Sequence, residues 1–458
     1  MSKPTFVRIN ADAALDAQSW RPGPVSAVIE CSPFTGSALP AWPADVPAPI
    51  ARGQLSIRLF TPGQANEFLR SVPIGLVRIH DRPGRVLMPG LVNAHTHLDL
   101  THLGPFPQGR GSFGSFFPRV REGRLDRADD IAHSVSLGIN LCLSAGVVAV
   151  GDIAGCPPEA GPSSAPFFAL AASPLRGVSY LEFFAIGTRE SQSLARLECV
   201  WETLRPYAGP SNDVRAGLHP HAPYSVSLAA YARAVDLAAR DNTLLSTHLA
   251  ESPAEHELIA RASGPFRAFL ESLGLWSQGL LDDFGHGNSP VEHLRPILER
   301  ANAQGIKPLV VHLNDLSERD GASLSPLAHA AYCPRSSSYF ETERAFGPHR
   351  YRTQLLGHGV PVCLGTDSIL NVPGPALSPL DDARMLSGRD ATDPLTLAAM
   401  LTTHGALALG LDAERFRFGI RGSPAPLAGL VSVPTSSPTD PSGVFHSDGP
   451  AELLAIAR

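Results

Sequence analysis

From about residue 86 onward, short β-branched apolar runs alternate with longer stretches whose apolar residues recur at helical spacing. The strand-like runs fall at 87–95, 146–153, 178–186, 214–221, 244–248, 308–312, 328–333 and 360–364. Between and after them, helical spacing is found at 129–144, 190–207, 225–240, 255–273 (interrupted by Gly264-Pro265), 379–386 and 394–410. Eight strands separated mostly by helices predict an α/β chain folded as a (β/α)8 TIM barrel over residues 86–410, with a doubly wound open sheet as the competing arrangement. The flanks have another texture. Residues 1–85 and 411–458 carry short runs such as Ala27-Val-Ile-Glu-Cys31, Gln54-Leu-Ser-Ile-Arg-Leu-Phe60, Gly429-Leu-Val-Ser-Val433 and Glu452-Leu-Leu-Ala-Ile456, punctuated by Pro and Gly. They predict a small β-sandwich domain built from both termini, with a surface loop at 435–442.

Composition narrows the class. A hydrophobic fraction of 43%, a charged fraction of 17% and a formal net charge of −6 suit a globular protein with a large core and give no basic footprint for nucleic acid. No apolar stretch of about 18 residues occurs and the first ten residues lack a signal core, so the expectation is a cytoplasmic protein without a membrane segment. The six cysteines are scattered without a Cys-x-x-Cys pair and read as small buried residues.

Chemistry enters at the strand ends. His95 and His97 are spaced i, i+2 at the end of the first run, so both rings project from one face and form half of a tetrahedral metal site. With 17 histidines in 458 residues, roughly one such pair arises by chance, and His219-Pro-His221 repeats the spacing. The other strand ends decide how the pattern is read. The fourth run ends in His219-Pro-His-Ala-Pro-Tyr224, the fifth in Thr247-His-Leu-Ala-Glu-Ser252, the sixth in His312 and the eighth in Leu364-Gly-Thr-Asp-Ser368. Catalytic groups of a (β/α)8 barrel sit at the C-terminal ends of its strands, and these polar residues all fall there.

The order His-x-His, His-x-x-Glu, His, Gly-Thr-Asp-Ser resembles the amidohydrolase superfamily, in the branch of cytosine deaminases and triazine hydrolases. Pro89-Gly-Leu-Val-Asn-Ala-His-Thr-His-Leu-Asp-Leu100, His221-Ala-Pro-Tyr-Ser-Val-Ser227, His248-Leu-Ala-Glu-Ser252 and Cys333-Pro-Arg-Ser336 are similar to aminodeoxyfutalosine deaminase-like and S-adenosylhomocysteine deaminase-like members. The resemblance implies that His95, His97, His248 and Asp367 bind one divalent metal ion, with zinc ahead of iron(II), which lowers the pKa of a bound water. It implies catalytic roles for Glu251 as proton shuttle, for His312 in orienting water or polarising substrate, and for Asp367 as acceptor of the water proton. His221 and Tyr224 become substrate contacts. Arg335 is placed with them, with an interstrand ion pair as its other reading; Glu182 could face the pocket or pair with an arginine, and His219 is a buried bystander. Binuclear relatives bridge their metals through a carbamylated lysine. The only lysines here are Lys3 and Lys307, and Lys307 precedes the sixth strand at its wrong end, so the site is expected to be mononuclear.

The implied activity is hydrolysis of a carbon–nitrogen bond outside peptides: deamination of an amino-substituted heteroaromatic, purine nucleoside-like, with aminodeoxyfutalosine as the best single candidate. A chlorohydrolase or cyclic amidase using the same chemistry, and a non-catalytic metal-binding protein on this fold, are the alternatives. The implied partners are a small heterocyclic substrate and a second copy of the chain in a homodimer. Two features depart from the deaminase pattern. Ser337 stands where relatives carry Asn after Cys-Pro-Arg-Ser, and a Gly/Phe-rich segment at 107–117 follows the first strand, its phenylalanines free to stack on a planar ring or to pack on a helix.

Overall fold

A computed structural model describes residues 5–32, 39–111, 113–157, 161–342, 350–372, 374 and 376–457. Eight parallel strands make the barrel: β1 (Leu91–Thr96), β2 (Val147–Ala154), β3 (Arg176–Phe183), β4 (Val214–Pro220), β5 (Ser246–Leu249), β6 (Leu309–His312), β7 (His329–Tyr332) and β8 (Val362–Leu364). β1 to β4 pair in sequence order, as do β5 to β8. Single bridges join the two sets, Leu218 to Leu245 on one side and Thr96 to Asp367 on the other, so the sheet closes. Every residue of β2 and β3 is buried, the mark of strands covered on both faces. Helices supply the outer cover. Ala128–Ser144 turns Ile131, Val135, Ile139 and Cys142 inward, and Leu228–Asp241 is opened by Ser227, whose side chain accepts from the Ala230 N–H.

One expected element is redrawn, one breaks at its expected Gly264-Pro265 step, and one helix was not expected. The first run, 87–95, spans parts of two strands: Val77–Pro89 belongs to the flanking sheet, and β1 begins after Gly90. A Cβ at Gly90 would lie 2.6 Å from Val148 Cγ2, so the chain passes at this break only without a side chain. The stretch 255–273 is two helices, Pro253–Arg261 and Pro265–Ser272, separated at Gly264. Helix Pro290–Ala303 has no counterpart among the expected elements, although Ser289 and Glu292 form a full capping box at its start, a signal present in the sequence.

The flanks do not stack as two sheets. Thr5–Leu15 pairs with Val25–Ser32, that strand with Ala51–Phe60, then Glu452–Ala457, Gly429–Pro434 and Val77–Pro89, which pairs back onto Thr5–Leu15. The ring corrects the expected sandwich. Its cause is Val77–Pro89, thirteen residues long, which takes a parallel partner on one edge and an antiparallel one on the other, leaving no open edge between the termini. Ile9, Ile29, Ile57, Leu430 and Leu454 belong to its apolar core. Val77–Pro89 also carries the flanking sheet across residue 86 directly into β1. Among the described residues no helix is long and apolar enough to cross a membrane.

Gly177 in β3 has φ +130°, and a Cβ there would stand 1.9 Å from the Val150 carbonyl oxygen of β2. Gly177→Ala is expected to destabilise the fold by more than ~1 kcal/mol, read as a lowered thermal midpoint. Gly63→Ala, in a helix with nothing within 4 Å of the new methyl, should leave the midpoint unchanged or raise it.

Candidate active site

The C-terminal rim of the barrel gathers the histidines. His95 lies in β1 and His97 follows it; His248 lies in β5, and ring nitrogens of the three fall within 4.8 Å of one another. The His95 ring centroid is 5.1 Å from both His97 and His248. Asp367, three residues beyond β8, places Oδ1 3.4 Å from His97 Nε2 and 3.7 Å from His95 Nε2. A second group adjoins the first: one ligand atom each of Glu251, His312 and Asp367 also lies within 4.8 Å of the others, with Glu251 Oε1 3.5 Å from His312 Nε2.

Backbone geometry aims these groups. Ala250 (φ +52°), His312 (φ +77°), Leu313 (φ +55°) and Asp367 (φ +58°) are left-handed at the ends of β5, β6 and β8. Such conformations cost about 1–3 kcal/mol each and persist only where surrounding contacts hold them. Those contacts are present. The buried Glu255 carboxylate accepts from the Ala250 and Glu251 N–H groups at 3.0 and 2.8 Å. The Thr366 and Asp367 N–H groups donate to the His95 carbonyl at 3.0 and 3.1 Å, and Thr96 Oγ1 donates to the Asp367 carbonyl at 3.0 Å.

The residues fit a metal ion. Neither ring nitrogen of the fully buried His95 has a hydrogen-bond partner, and His97 Nδ1 has none. A buried polar atom left unpaired costs about 1–3 kcal/mol, so the unpaired nitrogens of His95 and His97, converging with His248, are stable chiefly as ligands. Three nitrogens and one carboxylate make a donor set suited to zinc. Charge agrees. Burial holds the His97 and His248 imidazoles far below their usual range, hence neutral and able to ligate. Burial alone would raise the Asp367 carboxyl, but the neighbouring imidazoles of His95, His312 and His97 bring it below the ordinary carboxylate range. Glu251 goes the other way: burial, then the neighbouring Asp367 and Glu255, push its carboxyl well up, so it holds a proton.

The remaining expected residues divide. His221 follows β4, with Nδ1 on Ser225 Oγ at 2.7 Å and its ring centroid 5.0 Å from that of His248. Tyr224 stacks on Phe266 at 4.2 Å and lies 5.5 Å from the His221 ring. Arg335 makes an ion pair between two helices rather than between strands: its guanidinium donates to Asp382 Oδ2 at 2.8 Å and to the Ser378 carbonyl at 2.9 Å. Glu182 pairs with Arg124 at 3.1 Å, and Arg124 also holds Asp99 at 2.6 Å. Phe113, Phe116 and Phe117 of the Gly/Phe segment pack on Phe340, Phe266 and Phe269; Ser112 lies outside the described residues.

Two residues had no assigned role in the sequence. Ser336 Oγ and Asn371 Nδ2 donate to Asp367 Oδ2 at 2.7 and 2.6 Å and fix the carboxylate that faces the histidines. Ser336 closes the Cys-Pro-Arg-Ser motif, which was the available signal; Asn371, four residues past Asp367, carried none. Ser337 donates to Asn314 Oδ1 at 2.6 Å, and Asn314 Nδ2 donates to the Glu251 carbonyl at 3.0 Å, so a carboxamide borders this corner from the segment after β6.

Residues 86–419 match the amidohydrolase family. The chain belongs to this family. It is thereby a metal-dependent hydrolase. Among sequence relatives it is similar to an aminodeoxyfutalosine deaminase of Deinococcus radiodurans, 27% identical over 318 residues, which are 67% of this chain and 69% of the relative. Among solved structures it resembles Helicobacter pylori aminofutalosine deaminase in complex with methylthio-coformycin, with a TM-score of 0.67, 20% identity and coverage of 97% and 98%. It also resembles an adenosine deaminase from Xanthomonas campestris with bound zinc, with a TM-score of 0.62, 19% identity and coverage of 98% and 90%.

Ser336→Ala removes one donor from the Asp367 carboxylate and is expected to weaken zinc affinity about 10–100-fold, measured by chelator competition. A pH dependence follows from the histidines. Burial, with His95 adding to it against Asp367, holds His312 down to about 4, whereas an unfolded imidazole titrates near ~6.5. Between these values the unfolded chain binds a proton that the folded chain does not, so His312 contributes stability above ~6.5 that is lost as pH falls toward 4. In metal-stripped protein, the thermal midpoint should fall more steeply over this interval for the native chain than for His312→Gln; parallel profiles would contradict it.

Proposed function

We propose that this chain is a mononuclear zinc deaminase acting on the amino-substituted ring of an adenosine-like purine nucleoside, an aminodeoxyfutalosine-type compound being the leading candidate. The observation that carries it is the juxtaposition of a buried, converging histidine trio with a protonated glutamate and a neutral histidine across one rim of the barrel. His95, His97, His248 and Asp367 would hold the ion, which when bound supplies Lewis-acid activation of water. Glu251 carries the proton. It would protonate the ring nitrogen beside the amino-bearing carbon as water adds; Asp367 would accept the proton that water releases, that proton would pass to the departing ammonia, and the remaining hydroxyl proton would return to Glu251 as the carbonyl forms. Neutral His312, 3.5 Å from Glu251, would orient the incoming water. His221, its Nδ1 turned to Ser225, would present Nε2 to the substrate beside Tyr224. The D. radiodurans relative, named for aminodeoxyfutalosine, supports the substrate class.

Ammonia release from a panel of 6-aminopurine nucleosides, with zinc counted by elemental analysis, tests the reading. Glu251→Gln should keep one zinc per chain and lose about 10²–10⁴-fold in kcat. Unchanged turnover in that variant, or release of chloride or a ring-opened product in place of ammonia, would overturn it.

A further inference from the structure

His219 is fully buried in β4, and its Nε2 lies 3.4 Å from His248 Nδ1 in hydrogen-bond contact. Their ring centroids are 4.6 Å apart at an interplanar angle of 78°, so the edge of one imidazole meets the other. His248 is therefore shared: it belongs to the trio with His95 and His97 and to a second trio with His219 and Glu182. Glu182 faces His219 across the β3–β4 register. Its Oε2 is taken by Arg124 at 3.1 Å and by the Cys156 N–H at 3.2 Å, whereas its Oε1 and His219 Nδ1 are both buried without a hydrogen-bond partner. A Cβ on Gly155 would fall 1.4 Å from Arg124 Nη1, so the absence of a side chain there lets Arg124 reach this cluster.

A histidine that ligates through one nitrogen needs a partner for the other, because that partner fixes the tautomer and the ring orientation. Metal-ligating histidines find this partner in a carboxylate, a carbonyl or water. Here the neighbouring group is an imidazole, and it accepts only if its own proton sits on the far nitrogen.

We propose that His219 is a positioning residue for the metal centre: His219 Nε2 accepts the Nδ1–H of His248, leaving His248 Nε2 for the ion. Glu182, the carboxyl group facing His219 across the strand pair, favours the tautomer with the proton on Nδ1 electrostatically rather than through a hydrogen bond. Arg124 in turn anchors Glu182. The assignment replaces the reading of His219 as a bystander, and it rests on the proposed metal centre.

Zinc affinity under chelator competition, compared among the native chain, His219→Leu and His219→Gln, tests this. Leucine has no acceptor and should cost about 10–100-fold in zinc affinity. Glutamine, whose carboxamide oxygen can accept in the place of Nε2, should recover most of that loss. Equal affinity in all three, or glutamine as weak as leucine, would overturn the role. Histidine nitrogen NMR on the metal-free proteins reads the tautomer directly: His248 should be Nδ1-protonated in the native and His219→Gln chains and mixed in His219→Leu. One tautomer in all three would refute the inference even if zinc binding failed altogether, a result that would instead sink the metal-centre reading. Two zinc ions per native chain, with one lost in His219→Leu, would make Glu182, His219 and His248 an ion site and also overturn it.

Discussion

The last seam of the barrel is the interaction on which the site depends. β8 reaches β1 through a bridge between Thr96 and Asp367. The bridge is short. It is reinforced by two backbone donors to the His95 carbonyl and by the Thr96 hydroxyl on the Asp367 carbonyl. Asn93 adds to it, exchanging hydrogen bonds with Thr366 at 2.8 and 3.1 Å. The same contacts that close the sheet therefore fix Asp367 opposite His95 and His97. Barrel closure and assembly of the candidate metal site are one event, and a sheet left open at this seam would have neither.

The rim departs from ordinary packing in a consistent direction. Its imidazoles are buried with unpaired nitrogens, its strand ends adopt left-handed backbone, and two carboxylates within reach of each other have opposite charge states. Each departure costs free energy that the apolar core of the barrel must offset, and each is supported by a specific neighbour: Glu255 under the Ala250–Glu251 turn, Ser336 and Asn371 against Asp367, His219 against His248. The opposite fates of Asp367 and Glu251 have a simple origin. Histidines, the Ser336 hydroxyl and the Asn371 amide surround the first, whereas burial and the neighbouring carboxyl groups of Asp367 and Glu255 raise the second.

Much of this was written along the chain. Short apolar runs alternating with helical spacing located the eight barrel strands to within a few residues, because these strands are buried almost throughout. The His95/His97 pair, His248 with Glu251, His312 and Asp367 were legible because a barrel presents its chemistry at strand ends, so position along the sequence converts directly into position on the rim. Gly90 shows where the conversion stops. The run from Val86 to Val92 is apolar throughout, and its spacing does not say that the first part belongs to another sheet; the close approach of Val148 imposes the break.

The sequence by itself determined the alternation of strands and helices and which histidines and carboxylates stand at the strand ends, since these follow from residue type and local spacing. Only the tertiary structure decided that the flanking strands close into a ring, that Arg335 is bound to Asp382, and that Ser336 and Asn371 hold Asp367. It alone separated His219 from the random copy of a motif, because a contact between β4 and β5 has no trace in the spacing of either strand. Pairings between distant segments depend on which edges and faces meet when the barrel closes, and that geometry is fixed by packing rather than by any single stretch of chain.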